Sequence, residues 1–158
     1  MDELKNCTGK LTTFYDTLTN KDVDNPVESI VIPKIQRDYA QGRKSAERVR
    51  QKFLNALFNA IDNEDSSPIE LDFIYGDFDS QNGVFYPLDG QQRLTTLYLL
   101  HWYIAKRLHE KNIKFLRKFS YQIRESSKEF CVKLFELCPD FIKPVDEYIT
   151  DCNWYTKT

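Results

Sequence analysis

Asp89-Gly90-Gln91-Gln92-Arg93 sets a carboxylate, a glycine, two amides and a guanidinium side by side. The apolar-aromatic run Val84-Phe85-Tyr86-Pro87-Leu88 comes before it, and a long apolar run from Leu94 opens a helix read over 94–109. The first turn of a helix presents N–H groups without intrahelical acceptors at the positive end of the dipole, which suits an anion. Arg93 adds a fork that can hold two phosphate oxygens. Asp89 is of the type that ligates a divalent cation or orients water. A plainer reading makes Asp89 a turn or N-cap residue before a core helix. Capping needs none of Gln91, Gln92 and Arg93. Three long polar side chains at the mouth of an apolar helix therefore favour the chemical reading.

Two other stretches carry related chemistry. Residues 28–33 read as a strand centred on Ile30, Val31 and Ile32, ended by Pro33, which cannot donate to a ladder. Gln36, Arg37, Asp38, Tyr39 and Arg43 follow, either as a solvated loop with an Arg–Asp pair or as a polar cluster at the strand's exit. Residues 115–123 mix basic and aromatic types, and Phe119, Tyr121 and Ile123 alternate as in a strand. Arg124 then stands where a strand meets a helix start, as Arg93 does. Ser126 or Ser127 can cap that helix, with Glu129 completing a capping box, and capping alone accounts for both serines.

The remaining elements must position these residues. Leu4, Leu11, Phe14, Tyr15 and Leu18 predict a first helix over 4–18. Residues 45–62 predict an amphipathic helix with Val49, Phe53, Leu57, Phe58 and Ile61 as its apolar stripe. Arg43, Lys44, Arg48, Arg50 and Lys52 make its front half basic, as a solvated face or as a phosphate contact. Residues 69–78 and 83–88 predict two strands joined by an Asn-Gly hairpin turn, with Leu71, Phe73 and Tyr75 alternating towards one buried face. A helix ending near Cys138, a break over 139–144 and a short helix over 145–152 complete the order. Trp154 and Tyr155 need something to pack against, so the chain is expected to stop before the full protein does.

Composition narrows the classes. A hydrophobic share of 41% in 158 residues supports one domain with a real core. A formal net charge of −2 excludes a wholly basic nucleic-acid binder but leaves room for a local basic groove. No apolar run reaches the roughly 20 residues of a membrane span, and residues 1–5 lack the apolar stretch of a signal peptide. Cys7, Cys131, Cys138 and Cys152 show no zinc-type spacing and read as thiols in a reducing cytoplasm, with Cys131 and Cys138 buried on one helix face. His101, inside an apolar helix, reads as a satisfied core or interface histidine, and His109 as a cap at that helix's C-terminus.

Three motifs now stand in order: Ile32-Pro33-Lys34-Ile35-Gln36-Arg37-Asp38-Tyr39, Pro87-Leu88-Asp89-Gly90-Gln91-Gln92-Arg93-Leu94, and Tyr121-Gln122-Ile123-Arg124-Glu125-Ser126-Ser127. In this order the chain resembles, from residue 28 onward, the N-terminal domain of GmrSD-type modification-dependent restriction proteins, related to the ParB/sulfiredoxin-like fold. The resemblance implies an α+β fold, a small mixed sheet flanked by helices. It implies a division into an N-terminal helix and connection over 1–27, a ParB-like nucleotide-binding core over 28–143 and the start of a further helical segment over 144–158. It also implies a nucleoside-triphosphate-binding and hydrolysing domain that regulates an HNH-type nuclease domain in cis or in trans. DNA is then met through the full-length protein, Mg²⁺ is the cofactor, and oligomers are allowed. Asp89, Arg93 and Arg37 would be catalytic, with Asp89 a metal ligand. Gly90, Gln91, Gln92, Gln36, Tyr39, Arg124, Ser126 and Ser127 would bind the nucleotide. The histidines have no H-N-H context, so this chain alone is not expected to cut DNA. The alternatives are a non-enzymatic DNA-sensing module using Arg37, Arg43, Lys44, Arg48 and Arg50, or a structural assembly domain.

Overall fold

The Asn-Gly turn forms as its residues suggest. In the computed structural model, which describes residues 9–19, 26–33, 44–62, 68–122 and 125–155, strand β2 (Gly76–Asp79) and strand β3 (Val84–Pro87) pair antiparallel, with Asp79 opposite Val84 and Gly76 opposite Pro87. The Asp79 carboxylate accepts from the backbone N–H groups of Gln81 and Asn82 and from the Asn82 amide, while Gly83 takes the left-handed φ of 65° that the turn requires. The Asn82 amide bond comes first among the causes that hold the Asp79 carboxyl below its usual range.

Strand β1 (Ser29–Ile32) runs parallel to β3 on one side and to β4 (Phe119–Tyr121) on the other. The sheet order is β2-β3-β1-β4, a mixed sheet with β1 inside. The alternation in β1 buries Ile30 and Ile32. Among the described residues five α-helices accompany the sheet: α1 (Phe14–Thr19), α2 (Glu47–Asp62), α3 (Gln91–Arg107), α4 (Glu125–Glu136) and α5 (Val145–Thr150). The α+β class expected from the sequence is the observed one.

Helix α3 carries the core. Leu94, Tyr98, Trp102 and Ala105 recur at helical spacing and are buried. Tyr98 stacks on Phe119 of β4 at 4.7 Å between ring centroids. One turn apart, the Tyr98 hydroxyl donates to the Cys131 carbonyl at 3.2 Å and the Trp102 indole to the Leu134 carbonyl at 2.7 Å. Two buried aromatic residues of α3 thus fix the register of α4, each bond contributing about 1 kcal/mol beyond the area it buries. Burial pushes the Cys131 thiol up to about 12, although the Tyr98 hydroxyl opposes this. Phe14 and Leu18 of α1 join the same core.

Several sequence expectations need correction. Among the described residues the first helix starts at Phe14, because Thr13 caps it: its hydroxyl accepts from the Asp16 N–H and donates to the Asp16 carboxylate, while residues 4–8 of the expected helix lie outside the described ones. The 69–78 strand contracts to Gly76–Asp79, since Asp72 has a left-handed φ of 66° and two carbonyls before β2 face Arg93 instead of a ladder. Phe73 and Tyr75 consequently face solvent, not a buried face. The 115–123 strand is a 3₁₀ turn (Lys114–Lys118) followed by β4, and Ile123 lies outside the described residues. Helix α4 begins at Glu125, so Ser126 and Ser127 sit in its first turn and not before it. Of the stripe on α2 only Leu57 is fully buried, while Val49, Phe58 and Ile61 are exposed. Cys131 is buried as expected, but Cys138 falls past the end of α4 and is exposed; Cys7 lies outside the described residues. Trp154 finds its partner in Phe130, at 5.8 Å between rings.

Candidate functional site

The parallel pairing sends β1, β3 and β4 in one direction, so all three end on the same edge of the sheet. Helices α3 and α4 start directly after β3 and β4, at that edge. Ligands of open sheets with parallel strands gather outside the carboxyl ends of those strands. Two bonds stitch the edge together. The Gln122 N–H donates to the Ile32 carbonyl at 2.9 Å, joining β4 to β1. The buried Thr95 hydroxyl and the Tyr121 hydroxyl lie 2.9 Å apart, joining α3 to β4.

At the exit of β3 the chain turns sharply. The N–H groups of Leu88 and Asp89 both donate to the Tyr75 carbonyl, at 2.9 and 3.1 Å. Gly90 is the N-cap of α3 with φ 78° and ψ 7°, a left-handed conformation that a glycine adopts without steric cost. The place a Cβ would occupy on Gly90 is filled by Ile74, whose Cγ1 would be 2.5 Å away. Asp89 lies one position before the cap; its carboxylate is 58% exposed and meets Arg93 at 3.5 Å. Gln91 is only 4% exposed and its side-chain amide donates to the Pro87 carbonyl, which locks the end of β3 to the start of α3. Gln92 is half-buried, and its carbonyl accepts from the Thr96 hydroxyl at 2.9 Å.

Arg93 reaches back to a part of the chain the sequence did not single out. Its Nη1 donates to the Leu71 carbonyl and its Nη2 to the Phe73 carbonyl, the latter at 3.1 Å. The irregular segment 68–75 is therefore a strap bound to the motif at three carbonyls: Leu71 and Phe73 by Arg93, Tyr75 by Leu88 and Asp89. Apolar alternation over 69–75 imitates a strand. The one hint of irregular backbone is Asp72, a residue type enriched at left-handed positions.

Of the residues singled out from the sequence, Asp89, Gly90, Gln91, Gln92 and Arg93 stand together at this edge, and Ser126 and Ser127 lie in the first turn of α4 there. Gln36, Arg37, Tyr39 and Arg124 lie outside the described residues; in sequence they follow β1 and β4. Among the described residues, no group of three or more His, Cys, Asp or Glu could hold a metal ion by itself, and no helix is long and apolar enough to cross a membrane. His101 is half-buried beside the core: its Nδ1 meets the Leu97 carbonyl at 2.8 Å and its ring packs 5.0 Å from Phe14. His109 takes a left-handed φ of 53°, and its N–H closes the end of α3 on the Lys106 carbonyl.

The sequence model of the family described as GmrSD restriction endonuclease, N-terminal domain, matches residues 14–155. The chain belongs to this family. No curated protein and no solved structure matches it. The matched span opens at the first residue of α1 and closes beyond Trp154, so every strand and helix named above is part of the GmrSD N-terminal domain. As the N-terminal domain of a restriction endonuclease, it goes with a nuclease partner domain.

Proposed function

We propose that this GmrSD N-terminal domain binds and hydrolyses a nucleoside triphosphate with Mg²⁺, and that the bound state regulates the nuclease domain. The observation that carries this reading is the meeting of three parallel strand ends and two helix starts at one edge, with Asp89 and Arg93 among them. The donor set fits Mg²⁺ held mainly by phosphate. Mg²⁺ binds through one or two carboxylates plus substrate phosphates and waters, and Asp89 is one exposed carboxylate beside a helix start. When bound, the ion neutralises phosphate charge. Asp89 would hold it, and the first turn of α3 would receive phosphate oxygens.

Arg93 has a double task in this reading. Its N–H groups hold the strap, so it acts first as a positioning residue, while its charge remains at the edge. Direct neutralisation of the transferred phosphoryl group then falls also to Arg37 and Arg124, which follow β1 and β4 in sequence. Calorimetric titration of Mg·ATP and Mg·GTP tests the reading. Asp89→Ala removes no buried contact, and it should weaken nucleotide affinity at least tenfold while the urea midpoint stays put. A folded wild type that binds neither nucleotide at millimolar concentration overturns it.

A second reading, DNA sensing, draws on α2, where Arg48 and Lys52 are exposed one turn apart. It requires nucleotide-independent DNA binding that weakens steeply with salt.

A further inference from the structure

We propose that Phe73 and Tyr75 form a stacking platform for the base of the nucleotide bound at the start of α3. The inference rests on the nucleotide reading above and adds to it where the base lies. Phe73 is 73% exposed and Tyr75 55% exposed. Scattered exposed apolar residues need no explanation. These two differ because the backbone that carries them is bound to the motif on both sides. The Phe73 carbonyl accepts from Arg93 at 3.1 Å, and the Tyr75 carbonyl accepts from the Leu88 and Asp89 N–H groups at 2.9 and 3.1 Å. Between them Ile74 turns the opposite way, against Gly90. Both rings are thereby directed outward by the residues that form the phosphate end of the site.

The rings stand 6.2 Å apart between centroids and are tilted by 40°. They are not sandwiched on one another, so ring faces remain open to a third planar group. A purine or pyrimidine is such a group, and aromatic side chains accept any base because every base has a π-face. The tyrosine hydroxyl adds one hydrogen-bonding atom at the platform's rim. A nucleotide so held has its phosphates at the first turn of α3 beside the exposed Asp89 and its base on the strap, and discrimination between bases is weak.

The test is a titration of Mg·ATP, Mg·GTP and Mg·tripolyphosphate on the wild-type chain and on Phe73→Ala and Tyr75→Ala, with Phe73→Trp as the conservative variant. Each alanine variant should lose on the order of tenfold in affinity for both nucleotides. Tripolyphosphate, which has no base, should bind all forms alike, and Phe73→Trp should keep wild-type affinity. The exposed positions leave urea midpoints unchanged. Nucleotide affinity that survives both alanine variants overturns the platform and leaves the nucleotide reading standing. Equal losses for tripolyphosphate also overturn it, because the residues would then act through the strap's backbone. A wild type that binds neither nucleotides nor tripolyphosphate overturns the nucleotide reading itself and the platform with it.

Discussion

Replacing Gly90 by alanine should destabilise the domain by about 3 kcal/mol, through two separable terms. The first is conformational. Gly90 has φ 78°, and a residue with a Cβ pays about 1–2 kcal/mol to occupy that region. The second is steric. A Cβ at Gly90 would lie 2.5 Å from Ile74 Cγ1 and 3.2 Å from Ile74 Cβ and Cγ2, so the strap must move, at a cost of about 1–3 kcal/mol. Urea unfolding followed by the fluorescence of Trp102 and Trp154 measures the sum. A double-mutant cycle separates the terms. Ile74 is half-buried, so Ile74→Ala alone should cost about 1–2 kcal/mol, less than a fully buried isoleucine. In the Gly90→Ala, Ile74→Ala double variant the 2.5 Å contact with Cγ1 is gone and only the 3.2 Å approach to the residue 74 Cβ remains, so the combined loss should fall short of the sum by about 1–3 kcal/mol. The conformational term should persist. A Gly90→Ala loss below about 0.5 kcal/mol, or strictly additive singles, would refute the account of Gly90 as the seat of Ile74.

Two more outcomes follow from the same contacts. Arg93→Ala leaves the Leu71 and Phe73 carbonyls without their donor, so the domain should lose about 1.5–3 kcal/mol and segment 68–75 should become the first site of limited proteolysis. Arg93→Lys should recover less than half of that, because a single ammonium lacks the planar fork; unchanged cleavage in the alanine variant refutes the anchor. Burial holds His101 below its ordinary pKa of 6.5, against the raising effect of the Leu97 carbonyl. Between those two values the unfolded chain binds the proton and the folded chain does not, so stability should fall as pH drops below 6.5. Urea midpoints at pH 7.5 and pH 5 should differ less in His101→Gln than in wild type, and equal slopes would remove His101 from the acid response.

The parts of the fold that could be read in advance are those whose cause is local. A β-branched run ended by proline makes β1, Asn-Gly makes the hairpin, and aromatic residues at helical spacing make α3. The motif from Asp89 to Arg93 could be located for the same reason, as polar residues at the start of an apolar helix. Its internal wiring could not. Gln91 reads as a ligand-facing amide, yet it is buried and bound to Pro87. Arg93 reads as a free fork, yet it grips carbonyls twenty or more positions earlier, at Leu71 and Phe73. Residues 69–75 alternate like a strand, and the left-handed Asp72 together with the competition of Arg93 for their carbonyls shows why they are not one.

The sequence by itself therefore determined the order of elements, the class of fold, the family and the position of the polar motif, because these depend on short-range periodicity, turn chemistry and residue type. Tertiary structure alone decided that β1 lies between β3 and β4, that their ends share an edge, and that the strap is bound to the motif. Strand pairing and carbonyl partners join residues distant in sequence. Many alternative pairings satisfy the same local preferences, and the choice among them is made by which arrangement buries Tyr98, Trp102 and Phe119 together while giving the Tyr98 hydroxyl and the Trp102 indole their carbonyl acceptors.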